Sequence, residues 1–441
     1  QSTQHPPTRT TTMLRHFRSS ILPVYQRIFS VVFVPNAIGL VLLLRTPVRR
    51  INLDHVATFA STNLLISILV RQDLFINCIF RTAWLVPWSV PLMIRRIVAR
   101  VYTYGGIHSG AALAGTFWYM AFTALLTIRS VQNGSCILPI IICTWLILLF
   151  FILILIFSYP RLRDLYHNTF EMTHRFLGWL SVLLFWIQIV LLAHQSSTAS
   201  SQPIQTILTH NPTFWNLLLI TILLIYPWTH LRKWTFTPTR LSSHALLLQT
   251  PHPIHRFSCL SISASPLREW HPFATFPSTS PTNPSSTTLL ISAAGNWTKS
   301  LVASPRTHFW IKGHPKAGVL SLSCLFPRVL ILTTGSGIGP ALSSLLDRPA
   351  TQHARLVWAT RNPLSTFGLE IMRLVEEADR EAVVIDTDAM GRPDLVDVGV
   401  RVAREMRAEA VFVLSNREVT GAVVRGLEGR GVVAYGPIWD S

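Results

Sequence analysis

The sequence predicts a multi-domain chain: an α-helical membrane bundle of about six spans, then a small antiparallel β-barrel, then a doubly wound parallel α/β domain. Three observations predict this order. The first half is strongly apolar, the middle consists of short β-prone runs broken by turn residues, and the last part alternates apolar strand runs with helical patterns. The predicted boundaries are 1–26 for a disordered N-terminal tail, 27–232 for the helical domain, 235–326 for the barrel and 327–441 for the α/β domain.

The bulk composition excludes an ordinary soluble protein. Hydrophobic residues make up 49% of the chain and charged residues only 13%, with a mean hydropathy of +0.40. The formal net charge of +18 suits nucleic acid, but the basic residues mostly sit between apolar runs, which is typical of cytosolic membrane anchors. We therefore expect membrane lipid as a partner and no nucleic acid. Of the 20 acidic residues, 15 lie from Asp347 onward, which indicates two environments in one chain.

Six segments are apolar and long enough to be candidates for crossing a bilayer core, which needs about 20 residues per helix. They cover roughly 28–44, 55–70, 106–128, 137–159, 172–193 and 213–229. Most of the arginine-rich loops fall on the cytosolic side if both termini are cytosolic. We therefore expect a multi-pass integral membrane protein with cytosolic N- and C-termini, and we favour the plasma membrane.

The segment after the sixth span changes pattern twice. Short β-prone runs such as His244–Gln249 and Thr288–Ser292 predict the antiparallel barrel. From Arg328 onward, strand runs alternate with helical patterns, which predicts a parallel sheet with helices on both faces. The strand runs are Val329–Leu332, Leu356–Trp358, Val383–Ile385, Val411–Leu414 and Val432–Ala434, and the helical patterns cover about 338–346, 366–378, 393–406 and 417–428.

A glycine-rich turn follows the first predicted strand of the α/β domain and opens a helical pattern. Glycines allow tight turning and close approach of a pyrophosphate, while the N–H groups and the dipole of a helix N-terminus bind anions. This context predicts a dinucleotide site rather than a purely structural turn, although Pro340 departs from the full G-x-G-x-x-G spacing. The predicted cofactor-binding residues are Gly335, Ser336, Gly337, Ile338, Gly339 and Pro340.

The second strand of this domain ends at Arg361, close to where a 2′-phosphate would project. No acidic residue follows this strand to bind a 2′-hydroxyl, so NADPH is slightly favoured over NADH. A solvated arginine at a strand end explains the same position.

Two short motifs of the barrel resemble flavin motifs of ferric reductases and NADPH oxidases. The first is Glu269-Trp-His-Pro-Phe273, and the second is Gly295-Asn-Trp-Thr-Lys299. The order of membrane helices, barrel and glycine-rich domain is that of the ferredoxin-reductase superfamily. With the segments His167–Trp179 and Gly436–Ser441, the chain is most similar to the fungal TmpA-type transmembrane flavoproteins. The barrel departs from the superfamily pattern because it lacks an Arg-x-Tyr-Ser motif.

The resemblance implies bound FAD, and the residue chemistry suits it. Phe273 can stack on a flavin face, His271 can hydrogen-bond it, and Lys299 beside a helix N-terminus can neutralise phosphate. Each motif alone is equally compatible with barrel packing. Trp439 is either a lid over the flavin or the cap of a final strand. The candidate flavin residues are His271, Pro272, Phe273, Gly295, Trp297, Thr298, Lys299 and Trp439.

Histidines within predicted spans indicate function because ionisable groups are costly there. His108 begins the third span and His174 the fifth, both toward the cytosolic leaflet. Ferric reductases hold two haems through histidine pairs about four turns apart, and this spacing is absent. A single haem ligated by His108 and His174 remains open, and so do hydrogen-bonded interfacial histidines without haem.

Together these patterns predict a membrane oxidoreductase that takes hydride from NAD(P)H to FAD and passes electrons to an unknown acceptor in or across the membrane. The alternative is a redox-sensing or signalling membrane protein that keeps the reductase fold with little or no turnover. The altered flavin motif and the missing haem spacing favour this alternative.

Overall fold

The structure, a computed structural model, describes residues 23–132, 138–278 and 286–438. The chain divides into two compact units. The helical unit contains Tyr25–Gln72 and Tyr104–Trp228, and the barrel–sheet unit contains Asp73–Thr103 and the residues from Thr229 onward. The first described helix begins at Val24, within the predicted N-terminal segment 1–26.

The helical unit is built mainly from long apolar helices, and the second of them has a side-chain N-cap. At the start of the second helix, for example, the Asn52 side chain accepts the N–H of Asp54 at 2.8 Å. The helices of this unit are α1 Val24–Leu44, α2 Leu53–Leu69, α5 Gly105–Gln132, α6 Leu138–Ser158, α7 Pro160–Leu165, α8 His167–Ser200, α9 Ile204–His210 and α10 Pro212–Thr229.

Among the described residues, five helices are long and apolar enough to cross a membrane, and a sixth span results if one bent pair counts as one. That pair is α2 with the following helix α3, Asp73–Trp84, at a bend of 64°. The six predicted segments coincide with these candidates.

Polar side chains connect the helices inside this unit. Asn36 of α1 accepts hydrogen bonds at 2.8 Å from Asn63 of α2 and from the Trp118 indole of α5. Such interhelical bonds orient helices that share an apolar environment, where burial alone gives little direction. The aromatic core around Trp118, Tyr119 and Phe122 packs between α2, α5, α6 and α8.

The barrel is an antiparallel sheet with the strand order β1-β7-β4-β5-β6-β3-β2, and β8 pairs with β4 beside this path. The two end strands are consecutive in the chain and flank Phe236, which is buried, so the barrel is nearly closed. Its strands are β1 Arg232–Thr235, β2 Thr237–Arg240, β3 Ala245–Thr250, β4 Ser258–Ser263, β5 His271–Pro277, β6 Thr287–Ser292, β7 His308–Ile311 and β8 Lys316–Ala317. The helix α11, Asn296–Ala303, follows β6.

The α/β domain has a five-stranded parallel sheet in the order β11-β10-β9-β12-β13. Alternate residues of its strands face two helix layers, because Trp358 packs on one layer and Val357 on the other. The predicted barrel and parallel sheet are therefore confirmed. The elements are β9 Arg328–Thr334, α12 Ile338–Leu346, β10 His353–Thr360, α13 Pro363–Ala378, β11 Val383–Asp386, α14 Thr387–Met390, α15 Leu395–Glu405, β12 Ala410–Leu414, α16 Arg417–Gly429 and β13 Ala434–Tyr435.

An excursion of the chain, Asp73–Thr103, leaves the helical unit and packs within the barrel–sheet unit. It carries α3 and the short helix α4, Leu92–Val98. The predicted helical domain 27–232 is thus interrupted. The basic cluster of this excursion, expected to anchor in lipid headgroups, instead has acidic partners in the α/β domain: Arg95 pairs with Glu409 and Arg100 with Glu428, both at 2.7 Å.

Candidate functional site

The glycine-rich turn lies at the point where the strand order of the parallel sheet reverses, between β9 and β12. At this switch point the carboxyl ends of neighbouring strands diverge and leave room for a ligand. The Thr334 hydroxyl at the end of β9 hydrogen-bonds the Ser415 hydroxyl directly after β12. The turn Gly335–Gly337 leads straight into α12, so a helix N-terminus faces the same crevice.

The two outer glycines of the turn serve different purposes. Gly335 has a φ of +49°, a conformation that side chains rarely adopt, and a Cβ there would meet nothing within 4 Å. A Cβ on Gly337, in contrast, would lie 2.2 Å from the Thr333 hydroxyl and 2.8 Å from the Leu414 carbonyl oxygen. Gly335 therefore faces open space where a ligand can approach. Gly337 allows the turn to pack closely against the ends of the neighbouring strands.

The other predicted residues of the turn divide into exposed and buried positions. Ser336 is exposed and Pro340 half-buried at the start of α12, so both can contact a nucleotide. Ile338 is fully buried, so its side chain belongs to the core, and Gly339 is buried against Leu290 of β6. Only backbone groups of these two residues remain available to a phosphate.

Trp358 holds the turn in place, and the sequence patterns did not single it out. Its indole N–H donates to the Gly335 carbonyl at 3.0 Å from the neighbouring strand β10. Its ring is fully buried and packs edge-on against Phe367 of α13. The only signal in the sequence was an aromatic residue inside an otherwise aliphatic strand run. Trp358 is a positioning residue of the turn.

Arg361 stands exposed at the carboxyl end of β10, as predicted. The structure adds an acidic neighbour from the next strand. Asp386, at the end of β11, accepts the N–H of Asn362 and the N–H of Asp388, each at 2.9 Å. The sequence stretch after β10 has no acidic residue, yet the parallel pairing of β10 and β11 brings a carboxylate beside it.

The two motifs that resemble flavin motifs converge inside the barrel. The Trp297 indole of α11 stacks on the His271 ring of β5, with 4.1 Å between centroids and 27° between planes. It lies nearly parallel to the Phe273 ring as well, at 6.2 Å and 25°. The three rings thus form one aromatic cluster that combines both motifs, and Phe273 and Trp297 of this cluster pack against the barrel core.

The second motif forms the N-terminus of α11, where the resemblance implies a phosphate site. A Cβ on Gly295 would meet nothing within 4 Å, and Lys299 is exposed one turn further on. The Thr298 hydroxyl accepts the N–H groups of Ala294 and Gly295, at 3.1 and 2.9 Å, and therefore caps the helix. Thr298 orients the helix start, while the open backbone at Gly295 and the cation of Lys299 suit an anion. Pro272 is exposed on β5.

The barrel and the helix that follows the glycine-rich turn are in direct contact. Helix α12, which the turn opens, packs against β5, the strand that carries His271 and Phe273. At another point of the same boundary, the Ser242 hydroxyl donates to the Thr366 carbonyl at 2.5 Å. The His244 ring nearby packs edge-on against Phe367, and burial lowers the pKa of this histidine below its usual value. The predicted flavin strand and the predicted nucleotide helix are therefore neighbours.

The two candidate haem ligands lie side by side in the helical unit. The ring centroids of His108 on α5 and His174 on α8 are 6.2 Å apart. The His108 Nδ1 lies 2.8 Å from the Ser67 carbonyl oxygen, so a proton on Nδ1 leaves the Nε2 lone pair for another partner. Among the described residues, no group of three or more histidine, cysteine or acidic side chains is placed to hold a metal ion. Trp439, the candidate lid, lies outside the described residues.

Comparison with known proteins finds similarity to reductases. Residues 319–441 match the family model described as "Adenylate-forming reductase 03009, C-terminal domain". Over 445 residues the chain is 39% identical to "Adenylate-forming reductase 03009" of Coprinopsis cinerea, covering 100% of this chain and 42% of that protein. It is 38% identical over 431 residues to "Adenylate-forming reductase 06235" of the same organism, covering 97% of this chain and 41% of that protein.

Among solved structures, a ferredoxin NADP+ reductase from Neisseria gonorrhoeae with bound FAD and NADP is similar at 11% identity and a TM-score of 0.37, over 47% of this chain and 99% of that one. The chain spans about two-fifths of the length of the curated relatives that it matches. The more specific resemblance to TmpA-type flavoproteins stays a prediction. Along nearly its whole length, the chain is similar to part of proteins named adenylate-forming reductases.

Proposed function

We propose that this chain is an NAD(P)H-dependent flavin oxidoreductase whose electrons pass on to an acceptor in or across a membrane. One observation carries the proposal: the strand with His271 and Phe273 touches both Trp297 of the second motif and the helix that the glycine-rich turn opens. Three motifs that are far apart in sequence thus form one region. Such convergence is what two nucleotides placed edge to edge require.

The residues of the barrel fit a flavin. The Trp297, His271 and Phe273 rings offer an aromatic surface, and the start of α11 with Gly295 and Lys299 offers an anion site. When bound, a flavin supplies acceptance of a hydride and release of single electrons. The protein would hold and orient the flavin, and the Thr298 cap would contribute by fixing the first turn of α11.

The glycine-rich turn fits the pyrophosphate of a nicotinamide dinucleotide. Gly335 leaves space, Ser336 is exposed, and the α12 N-terminus directs its dipole toward this space. The buried Trp358 keeps the Gly335 carbonyl turned inward through its indole hydrogen bond. At the end of β10, Arg361 is exposed and suits a 2′-phosphate, so NADPH is favoured as the donor.

The surface of the helical unit suits a membrane location. Its helices expose large apolar side chains, for example Leu44 at 82%, Leu138 at 63% and Trp145 at 50%. Continuous stripes of exposed apolar side chains are unfavourable in water. Their backbone groups are satisfied within the helices, as lipid requires. The orientation, with cytosolic N- and C-termini in the plasma membrane, stays a prediction.

His108 and His174, whose ring centroids lie 6.2 Å apart, are the side chains that would hold a haem in this unit. A haem would supply single-electron transfer there. We expect a sharp visible band on reduction of the purified chain, and its loss in His174→Ala. A featureless spectrum beyond the flavin bands would leave these histidines with a hydrogen-bonding role only.

The central experiment is reduction of the full chain purified in detergent. We expect stoichiometric flavin absorbance that NADPH bleaches. The variant Gly335→Asn tolerates the left-handed backbone but fills the open space, so it should keep the flavin and weaken NADPH binding by at least about tenfold, or 1.4 kcal/mol. Trp297→Leu should lose flavin, whereas Trp310→Leu, in β7 of the same barrel, should keep it.

Two results would count against the proposal. Absence of flavin from well-folded protein would remove the electron carrier, and a stoichiometric flavin that saturating NAD(P)H fails to bleach would favour the signalling alternative. Signalling would also be favoured over turnover if Gly335→Asn abolished a phenotype that a second variant preserved. This second variant would bind the nucleotide but not transfer hydride.

A further inference from the structure

The helical unit contains a cavity of about 680 Å³ that the proposed redox chemistry does not use. Its lining comes from α2, α5, α8, α9 and α10, all within this unit. The volume is in the range of small-molecule sites in proteins, about 300–1,000 Å³. The residues at the inner end, along the walls and at the rim of the cavity therefore indicate which kind of ligand it can bind.

The inner end is polar and deeply buried. Tyr119 and Gln188 line the cavity there and are only 2% and 3% exposed. The Tyr119 hydroxyl donates to the Gln188 carbonyl oxygen at 3.2 Å, and the Gln188 amide nitrogen donates to the Thr144 hydroxyl at 2.5 Å. These contacts use one of the two amide N–H groups of Gln188, and the Tyr119 oxygen keeps acceptor capacity. The inner end can thus both donate a hydrogen bond to a ligand oxygen and accept one from it.

The walls between the inner end and the rim are apolar and partly aromatic. Phe122 and Phe185 contribute rings, and Leu126, Ile189 and Leu192 contribute aliphatic surface. Walls of this kind favour a planar ring, since aromatic pairs add about 0.5–1.5 kcal/mol beyond area burial. An acyl chain would fill the walls equally well, but it would leave the second amide N–H of Gln188 without a partner, at a cost of about 1–3 kcal/mol.

The rim carries charge of one predominant sign. Arg50, Asp54, Arg129 and His210 line the cavity near helix ends, so two guanidinium groups face one carboxylate. The Arg129 Nη2 donates to the Val48 carbonyl at 2.8 Å and also to the Ile51 carbonyl, so Nε and Nη1 remain for a ligand and the guanidinium keeps its charge. Counting the two guanidinium groups and the one carboxylate, the rim has one excess positive charge. It therefore favours an anionic group with a single charge, which guanidinium binds well when it is a carboxylate.

The polar ends stand at a distance that one ring with a short linker can bridge. Tyr119 and Arg129 are ten residues apart on α5, a rise of about 15 Å at 1.5 Å per residue. Both side chains tilt toward the helix N-terminus, so the reach of the longer arginine side chain, and not the tilt, has to close part of this gap. We propose that the cavity binds a small aromatic carboxylate whose ring carries a hydroxyl or carbonyl group, with the carboxylate at Arg50 and Arg129 and the ring oxygen at Gln188 and Tyr119.

The test is binding of 4-hydroxycinnamate to the full chain in detergent, measured by equilibrium dialysis. We expect saturable binding of one molecule per chain. Cinnamate lacks the ring oxygen and methyl 4-hydroxycinnamate lacks the charge, so each should bind at least about tenfold more weakly. Binding should be unchanged in Gly335→Asn, because the cavity belongs to a different unit from the nucleotide turn. Failure of flavin reduction would therefore not affect the result.

Two matched pairs of variants locate the site. Arg50→Gln should weaken binding at least about tenfold, whereas Arg49→Gln, equally exposed but outside the lining, should not. Gln188→Leu should weaken it similarly, whereas Gln205→Leu, exposed on α9 and outside the lining, should not. If Gln188→Leu fails to fold, the comparison of Arg50→Gln with Arg49→Gln still tests the proposal.

Several outcomes would overturn the inference. Uptake that rises in proportion to concentration would mean partition into the micelle, and equal affinity for all three compounds would mean that neither polar end is used. Equal weakening by Arg49→Gln and Arg50→Gln would place the anion elsewhere. A tightly held lipid in the cavity that none of the compounds displaces would identify an acyl chain as the occupant.

Discussion

Arg361 and Asp386 follow neighbouring parallel strands and carry opposite charges at the same edge of the sheet. A 2′-phosphate is attracted by the first and repelled by the second, whereas a 2′-hydroxyl can donate to the second. The two backbone N–H groups on Asp386 offset part of its charge. The preference between NADPH and NADH therefore depends on the balance of these two side chains.

We predict that Arg361→Ala raises the KM for NADPH about tenfold, equivalent to 1.4 kcal/mol, and changes the KM for NADH little. Asp386→Asn should act in the opposite direction, because it keeps an oxygen for the Asn362 N–H and removes the charge. Flavin reduction at a series of nucleotide concentrations gives the KM for NADPH and the KM for NADH in each of the two variants. If both variants changed the two nucleotides equally, neither residue would lie at the 2′-position.

Single residues were predictable where the local pattern sets their role and unpredictable where a distant neighbour does. The glycine turn was recognisable because a strand, glycines and a helix occur in sequence. The division of labour between Gly335 and Gly337 depends on Leu414, which is far away in the chain. The same holds for Trp358, whose hydrogen bond to Gly335 joins two strands that pair only in the folded sheet.

At the scale of elements, the excursion Asp73–Thr103 is fastened to the barrel–sheet unit by charge and by hydrogen bonds. Arg95 is 5% exposed in its side chain and donates both to Glu409 and to the Leu325 carbonyl, while Trp88 donates to the Cys324 carbonyl at 2.8 Å. Because the Arg95 and Glu409 pair is largely buried, removing one partner should lower the free energy of unfolding by leaving an uncompensated charge.

We predict that Glu409→Gln destabilises the barrel–sheet unit by about 3 kcal/mol, because it leaves the buried Arg95 guanidinium without its counter-charge. Glu381→Gln is the control, since Glu381 is 76% exposed in its pair with Arg355 and should change stability by less than about 1 kcal/mol. Thermal melting of the full chain gives the loss, and hydrogen exchange should localise it to Leu92–Val98. Equal melting of both variants would argue that the pair is not buried in solution.

The regular elements of the α/β domain could be predicted closely because apolar periodicity sets them. Helix α12 was expected at about 338–346 and occupies Ile338–Leu346. The excursion was not predictable, because its apolar and basic pattern is the same for a lipid surface as for a protein surface with acidic residues. The acidic partners lie more than 300 residues further along the chain.

At the scale of the whole molecule, folding partly buries two thiols that the mechanism does not use. Burial raises the pKa of Cys259 to about 11 and that of Cys324 to about 12, from an ordinary value of 9.0. A thiol whose pKa is raised on folding stays neutral in the folded state. It contributes stability that is fully present below pH 9 and is lost as the pH rises through the folded value.

We predict that the free energy of unfolding falls more steeply between about pH 9 and pH 11 in the natural chain than in Cys259→Ala/Cys324→Ala, because the two thiols ionise first in the unfolded state. Denaturant unfolding at a series of pH values measures the slope. Cys78→Ala is the control because Cys78 is exposed. Identical slopes for the double variant and the natural chain would contradict the burial of these thiols.

The sequence alone determined the succession of an apolar helical part, a barrel and a parallel sheet, because burial periodicity and turn chemistry are local properties of the chain. It also located the glycine-rich turn and the two aromatic motifs. The tertiary structure decided which of these lie together: Trp297 on His271, α12 on β5, and Asp386 beside Arg361. It also decided that Asp73–Thr103 packs in the barrel–sheet unit and that the helices enclose a cavity. The physical reason is that pairing between strands and burial between helices join residues with no relation in sequence, so only the folded chain can bring their charges and rings together.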